Sequence, residues 1–149
     1  MRVWTCAEWH ALHKSSVKLE KRPAVGIVAH HTAGPNTQPE ENEEAERARC
    51  FRLALSIQKA HLQRGWRDSG HHFLVTRSGL ILEGRHDSLV QAKLGKVVRG
   101  SHAGDPVANL TLYGIECEGT YTDEGPPTAL WKALADLGAH LAWWGRFQS

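Results

Sequence analysis

Apolar positions along this 149-residue chain fall into short runs and helical stripes that alternate from end to end. Ala24 to His31 is a compact run rich in Val and Ile, bounded by Pro23 and by Gly34-Pro35. It reads as a buried strand delivering two adjacent histidines at its end, and strand geometry sends their side chains to opposite faces. An acid-rich stretch, Glu40, Glu41, Glu43 and Glu44, then suits the positive end of a helix dipole. Ala48, Phe51, Leu55 and Leu62, with Ala54 and Ile57 beside them, form a helical face up to Gln63, where Gly65 ends it.

Phe73 to Thr76 and Leu80 to Glu83 flank Arg77-Ser78-Gly79, which predicts a hairpin with Gly79 at positive φ. Leu112 to Glu118 alternates so that Glu116 and Glu118 share one face of a strand and Cys117 takes the other. Leu130, Leu134, Leu137, Leu141 and Trp144 describe an amphipathic helix that starts after Pro126-Pro127 and stops at Gly145. The interleaving of strands and helices predicts one α/β domain over 1–149, with 1–23 as an N-terminal extension and 24–149 as the core.

Composition excludes several classes. An apolar content of 41% and a charged content of 23% are those of a globular chain, and a net charge of +2 spread among acids gives no nucleic-acid stripe. No run approaches the roughly 20 apolar residues that span a bilayer. Met1 to Val25 interleaves Glu8, His10, His13, Lys14, Lys18 and Glu20 with apolar residues, so no signal peptide is expected and a cytoplasmic or phage-encoded origin is. Cys6, Cys50 and Cys117 are odd in number and widely spaced, which suits a reducing compartment.

Ten histidines, with pairs at His30/His31 and His71/His72, suggest metal or proton chemistry, although neither HExxH nor CxxC is present. Glu116 on its own reads either as a general base or as an exposed strand-end acid. His71 and His72 read as functional groups or as satisfied core histidines. His61 and Asp68 suit structural roles, at a helix end and in a turn. Among six tryptophans, Trp131, Trp143 and Trp144 sit on or beside the last helical face and suit packing, whereas Trp66 precedes a strand and is the candidate for a groove.

Several motifs occur in one order: Ile27-Val28-Ala29-His30-His31-Thr32-Ala33-Gly34, Ile57-Gln58-Lys59-Ala60-His61, Gly65-Trp66-Arg67-Asp68-Ser69-Gly70-His71-His72-Phe73-Leu74-Val75, Gly79 to Arg85, Ser101-His102-Ala103-Gly104 and Tyr113-Gly114-Ile115-Glu116 through Tyr121. This series resembles the type 2 N-acetylmuramoyl-L-alanine amidases, the family that includes peptidoglycan recognition proteins and phage endolysins. The resemblance implies a central mixed β-sheet flanked by helices and a groove for peptidoglycan or a muropeptide. It also implies a catalytic Zn2+, which lowers the pKa of its bound water to about 7, with His30 as a metal ligand. Glu116 stands at the family's general-base position, and His71 where some members carry a catalytic tyrosine. Trp66, His72 and His102 would contact substrate.

In the family, the second and third zinc ligands follow the last long helix, in a strand and loop that this sequence lacks before Phe147-Gln148-Ser149. One histidine cannot hold catalytic zinc. The expectation is therefore a truncated amidase, a peptidoglycan-binding module without metal, or a substitute site in which His31, His71, His72 or His102 joins His30. Oligomeric state is not legible.

Overall fold

Local signals start and stop the two long helices. The computed structural model describes residues 1–147. Helix α1, Glu43–Gln63, is capped by Asn42, whose side chain accepts from the backbone N–H groups of Glu44 and Ala45, and Glu43, Glu44 and Glu46 fill its first turn. Gly65 follows at φ 84° and lets the chain leave the helix. Helix α4, Thr128–Gly145, starts directly after Pro127. At its far end the left-handed turn falls on Arg146 at φ 51°, not on Gly145. Gly145 is needed there for space, because a Cβ would lie 2.2 Å from the Phe147 ring.

The strands are β1 (Val3–Trp4), β2 (Lys21–Pro23), β3 (Gly26–His31), β4 (Phe73–Val75), β5 (Ile81–Glu83), β6 (Lys96–Val98) and β7 (Leu112–Cys117). Five of them form a mixed sheet in the order β1-β5-β4-β7-β3, and β2 pairs with β6 in a separate antiparallel ribbon. β4 and β5 form the expected antiparallel hairpin with Gly79 at φ 89°, whereas β3, β7 and β4 run parallel. Within the first 23 residues, β1 joins the sheet beside β5 and Trp9 is 2% exposed, donating its indole N–H to the Glu83 carbonyl.

Each face of the sheet is covered by a helix. Leu74 and Leu82 pack with Cys50, Ala54 and Trp9 on the α1 side. Phe73, Val75, Ile115 and Cys117 pack with Leu130, Leu137 and Leu141 of α4 on the other. Trp144 joins this second cluster, but Trp131 and Trp143 are 54% and 80% exposed, so packing is not the role of those two. Helical spacing put them beside the buried stripe, and the helix turns them to solvent. Two further short helices, α2 (Ser88–Lys93) and α3 (Pro106–Thr111), lie in a region where the apolar pattern predicts no element. Six residues are too few to show helical periodicity, but Asp105 followed by Pro106 is a start signal that marks α3. The three cysteines are free and buried, and no helix among the described residues is long and apolar enough to cross a membrane.

Candidate active site

Parallel pairing of β3 with β7 sets His30 opposite Glu116 and His31 opposite Cys117. Alternation then separates the two histidines, as the strand reading requires. His30 joins a cluster in which its ring centroid lies 5.6 Å from that of His71 and 5.7 Å from that of His102. His31 turns away, and its Nδ1 accepts from the Tyr121 N–H at 3.0 Å.

His71, just ahead of β4, directs Nδ1 to the Glu116 Oε2 carboxylate oxygen, with both side chains nearly buried. His61, near the end of α1, lies 5.9 Å from His71 and 4.5 Å from Trp66 between ring centroids. Its Nδ1 accepts from the Gly70 N–H, so the structural role expected from sequence is present, but the ring also walls the cluster. Trp66 is half-buried and lines a cavity beside Ser101.

His102 is held from below. The Asn109 side chain accepts from the N–H groups of His102 and Ala103 and donates to the Ala103 carbonyl, closing the loop that carries the histidine. This anchoring role of Asn109 needs the folded loop. Gly114 makes room for the ring, since a Cβ there would lie 2.4 Å from His102 Cγ. Gly114→Ala is therefore expected to cost about 1–3 kcal/mol through overpacking, read as a lower urea midpoint with an unchanged slope.

His72 requires a correction. It is fully buried, its Nδ1 accepts from the Gly114 N–H and its Nε2 donates to the Val98 carbonyl. Both ring nitrogens are consumed by backbone, so His72 braces β7 against β6 and cannot contact substrate. Adjacency in sequence to His71 concealed this, because the register sends the two rings to different surroundings.

Burial sets the charge of the cluster. Desolvation lowers His61 and His102 each to about 4 and His72 to about 3, with the neighbouring His71 adding to the first two. His30 is lowered by the same two causes and partly restored by Glu116. Neutral imidazoles beside one carboxylate suit proton transfer and metal ligation.

A catalytic zinc needs three converging protein donors. His30 Nε2 is buried without a hydrogen-bond partner, as an awaiting ligand would be. Among the described residues, however, no three His, Cys, Asp or Glu side chains converge on a common point. Among the described residues the substitute site built from His31, His71, His72 or His102 is not formed: His31 and His72 are committed to backbone, His71 faces Glu116, and His102 Nε2 contacts the Leu112 carbonyl. The donors present thus supply one candidate ligand and do not by themselves fit zinc.

The sequence profile of the N-acetylmuramoyl-L-alanine amidases matches residues 20–148. The chain belongs to this family. It is 32% identical over 133 residues to peptidoglycan recognition protein 1 of Bos indicus, covering 87% of this chain and 60% of that protein. It is 30% identical over 138 residues to an N-acetylmuramoyl-L-alanine amidase of Sus scrofa, covering 92% of this chain and 20% of that one. This amidase-family chain thus spans 60% or less of the length of these two relatives. Its fold is that of Drosophila PGRP-LB, with a TM-score of 0.77, 26% identity, and coverage of 99% of this chain and 77% of that one. The mixed sheet flanked by helices is therefore the family's fold.

Proposed function

We propose that this chain acts on peptidoglycan by hydrolysing the amide between N-acetylmuramic acid and L-alanine. The observation that carries this reading is the Glu116–His71 pair, a carboxylate and an imidazole in contact at a nearly buried position beside His30. In this reading Glu116 takes the proton of an attacking water and returns it to the leaving L-alanine amine, His71 orients the carboxylate, and Trp66 and His102 border the bound substrate. His30 is the residue offered to a metal. The amidase named among the relatives supports the reaction class.

A second reading, capture of peptidoglycan without cleavage, is favoured by the incomplete donor set. The two are separated by incubating the chain with purified peptidoglycan and added zinc, then measuring both sedimentation with the wall and release of L-alanine amino groups. Glu116→Gln is expected to reduce release by roughly 100-fold or more while preserving sedimentation. His30→Ala is expected to lower bound zinc. Sedimentation without release in the wild type selects the binding reading, and wild-type release by Glu116→Gln removes Glu116 as the base.

A further inference from the structure

Between the N-terminal loop and the segment carrying Arg85 and His86 lies a cavity of about 190 Å³ that includes none of the His30, His71 or Glu116 side chains in its lining. We propose that this cavity is a binding site for a phosphate group, held by the His86 imidazole with Lys18 and Lys21.

His86 is oriented for this task by Asp68. Its ring Nδ1 donates to Asp68 Oδ2 at 2.7 Å, and its backbone N–H donates to the same oxygen at 2.8 Å. Asp68 is itself 3% exposed, and its other oxygen accepts from Gln58 Nε2 and the Ser69 N–H. The ring is thus locked with Nε2 as its remaining polar atom. The hydrogen bond to Asp68 raises the histidine's pKa against the opposing effect of burial, with Glu83 and Asp87 acting in the same direction as Asp68. That favours the cation, in which Nε2 is a donor.

Asp68 and Asp87 also line the cavity, each engaged by a cation, His86 and Lys14, which leaves Arg85, Lys18 and Lys21 as the excess positive charge. Arg85, 2% exposed, donates to the carbonyls of Ser69 and Arg99 and to the Ser101 hydroxyl, and forms no ion pair among the described residues. Its hydrogen bonds go to neutral acceptors, so Asp68 offsets its charge only through space, and the guanidinium still acts on an anion entering the cavity beside it. Lys14 is occupied by Asp87. Lys18 and Lys21 have exposed side chains and no acidic partner among the described residues.

The donor geometry selects the anion. A free guanidinium fork would hold a carboxylate or a phosphate alike, and the fork of Arg85 is already engaged. Ammonium groups and an imidazole N–H act instead as separate point donors, which match the spread oxygens of a tetrahedral phosphate. A second cavity of about 510 Å³ shares Lys18 and Arg85 with the first and adds Arg67 and Arg99, extending the basic wall past Trp66 to Ser101. A phosphate carried on an extended polymer would find contacts there that free phosphate does not use.

Titration of the full chain with inorganic phosphate, followed by calorimetry and backbone amide NMR shifts, is expected to show saturable binding with shifts centred on residues 14–21 and 85–87. Lys18→Ala combined with Lys21→Ala changes only exposed side chains and is expected to weaken binding roughly tenfold or more, as is His86→Gln. A poly(glycerol phosphate) chain separates the sources of the phosphate. Tighter binding of the polymer, lost when Arg67 and Arg99 are replaced by Ala, assigns the site to a phosphodiester polymer; equal affinity per phosphate assigns it to the free anion. Failure of both probes to bind saturably, or binding that neither the lysine pair nor His86→Gln weakens, overturns the proposal.

Discussion

Acidification from about pH 6.5 to pH 4 is expected to destabilise this protein, starting above the range in which most carboxylates titrate. Burial holds His61 and His102 at about 4 and His72 at about 3 in the folded state, against 6.5 for the free side chain. Above pH 6.5 these rings are neutral in both states and cost nothing. Below it the unfolded chain takes up protons that the folded chain cannot, so stability is lost as pH falls toward the folded values. By pH 4 the fully buried His72 contributes a loss of roughly 3 kcal/mol, and His61 and His102 add smaller losses because they are less enclosed and feel the same neighbouring ring. A loss of this size is a large fraction of the roughly 5–15 kcal/mol that holds a typical domain together. Chemical denaturation followed by far-UV circular dichroism and tryptophan fluorescence over this range provides the measurement. Equal stability at its two ends would show that these rings accept protons in place.

Arg49→Met is expected to destabilise the fold by roughly 3–5 kcal/mol, the cost of breaking a buried ion pair from one side. Arg49 bridges α1 to the end of β7. Its Nη1 donates to Glu118 at 2.5 Å and its Nη2 to Glu46 at 2.7 Å, and both carboxylates are nearly buried. Burial opposes the charge on Glu46, yet hydrogen bonds from Arg49 and from the Glu40 backbone outweigh it and hold the group at about 2. Glu118 also accepts from the Arg77 N–H at the β4–β5 turn, so it ties three segments together. Removing the cation leaves two carboxylates without their partner, whereas the methionine nearly preserves the packed volume. Chemical denaturation at pH 7 tests this. A loss below about 1 kcal/mol would place the network among solvent-screened surface pairs.

Much of the sheet and both long helices are legible in the sequence, whereas β1, β2, β6, α2 and α3 are not. These strands are two or three residues long and lack the tight Arg77-Ser78-Gly79 turn that reveals the equally short β4 and β5, and their partners lie far along the chain: Val3 pairs with Ile81, and Lys21 with Val98. Glu116 and Glu118 were legible as a same-face pair, but their different fates were not. Glu116 meets His71, whereas Glu118 meets Arg49, and only the placement of α1 over the sheet separates them.

The sequence by itself determined where the main strands and helices begin and end and, through its ordered motifs, the family. Those signals act between neighbours: apolar periodicity, Asn42 and the prolines that start helices, and glycines that release the chain. The tertiary structure alone decided which histidines meet. Register turned His30 inward and His31 away, the backbone of β6 and β7 consumed His72, and the loop anchored by Asn109 brought in His102. These are contacts between residues tens of positions apart, set by strand pairing and burial, and local pattern carries no record of them.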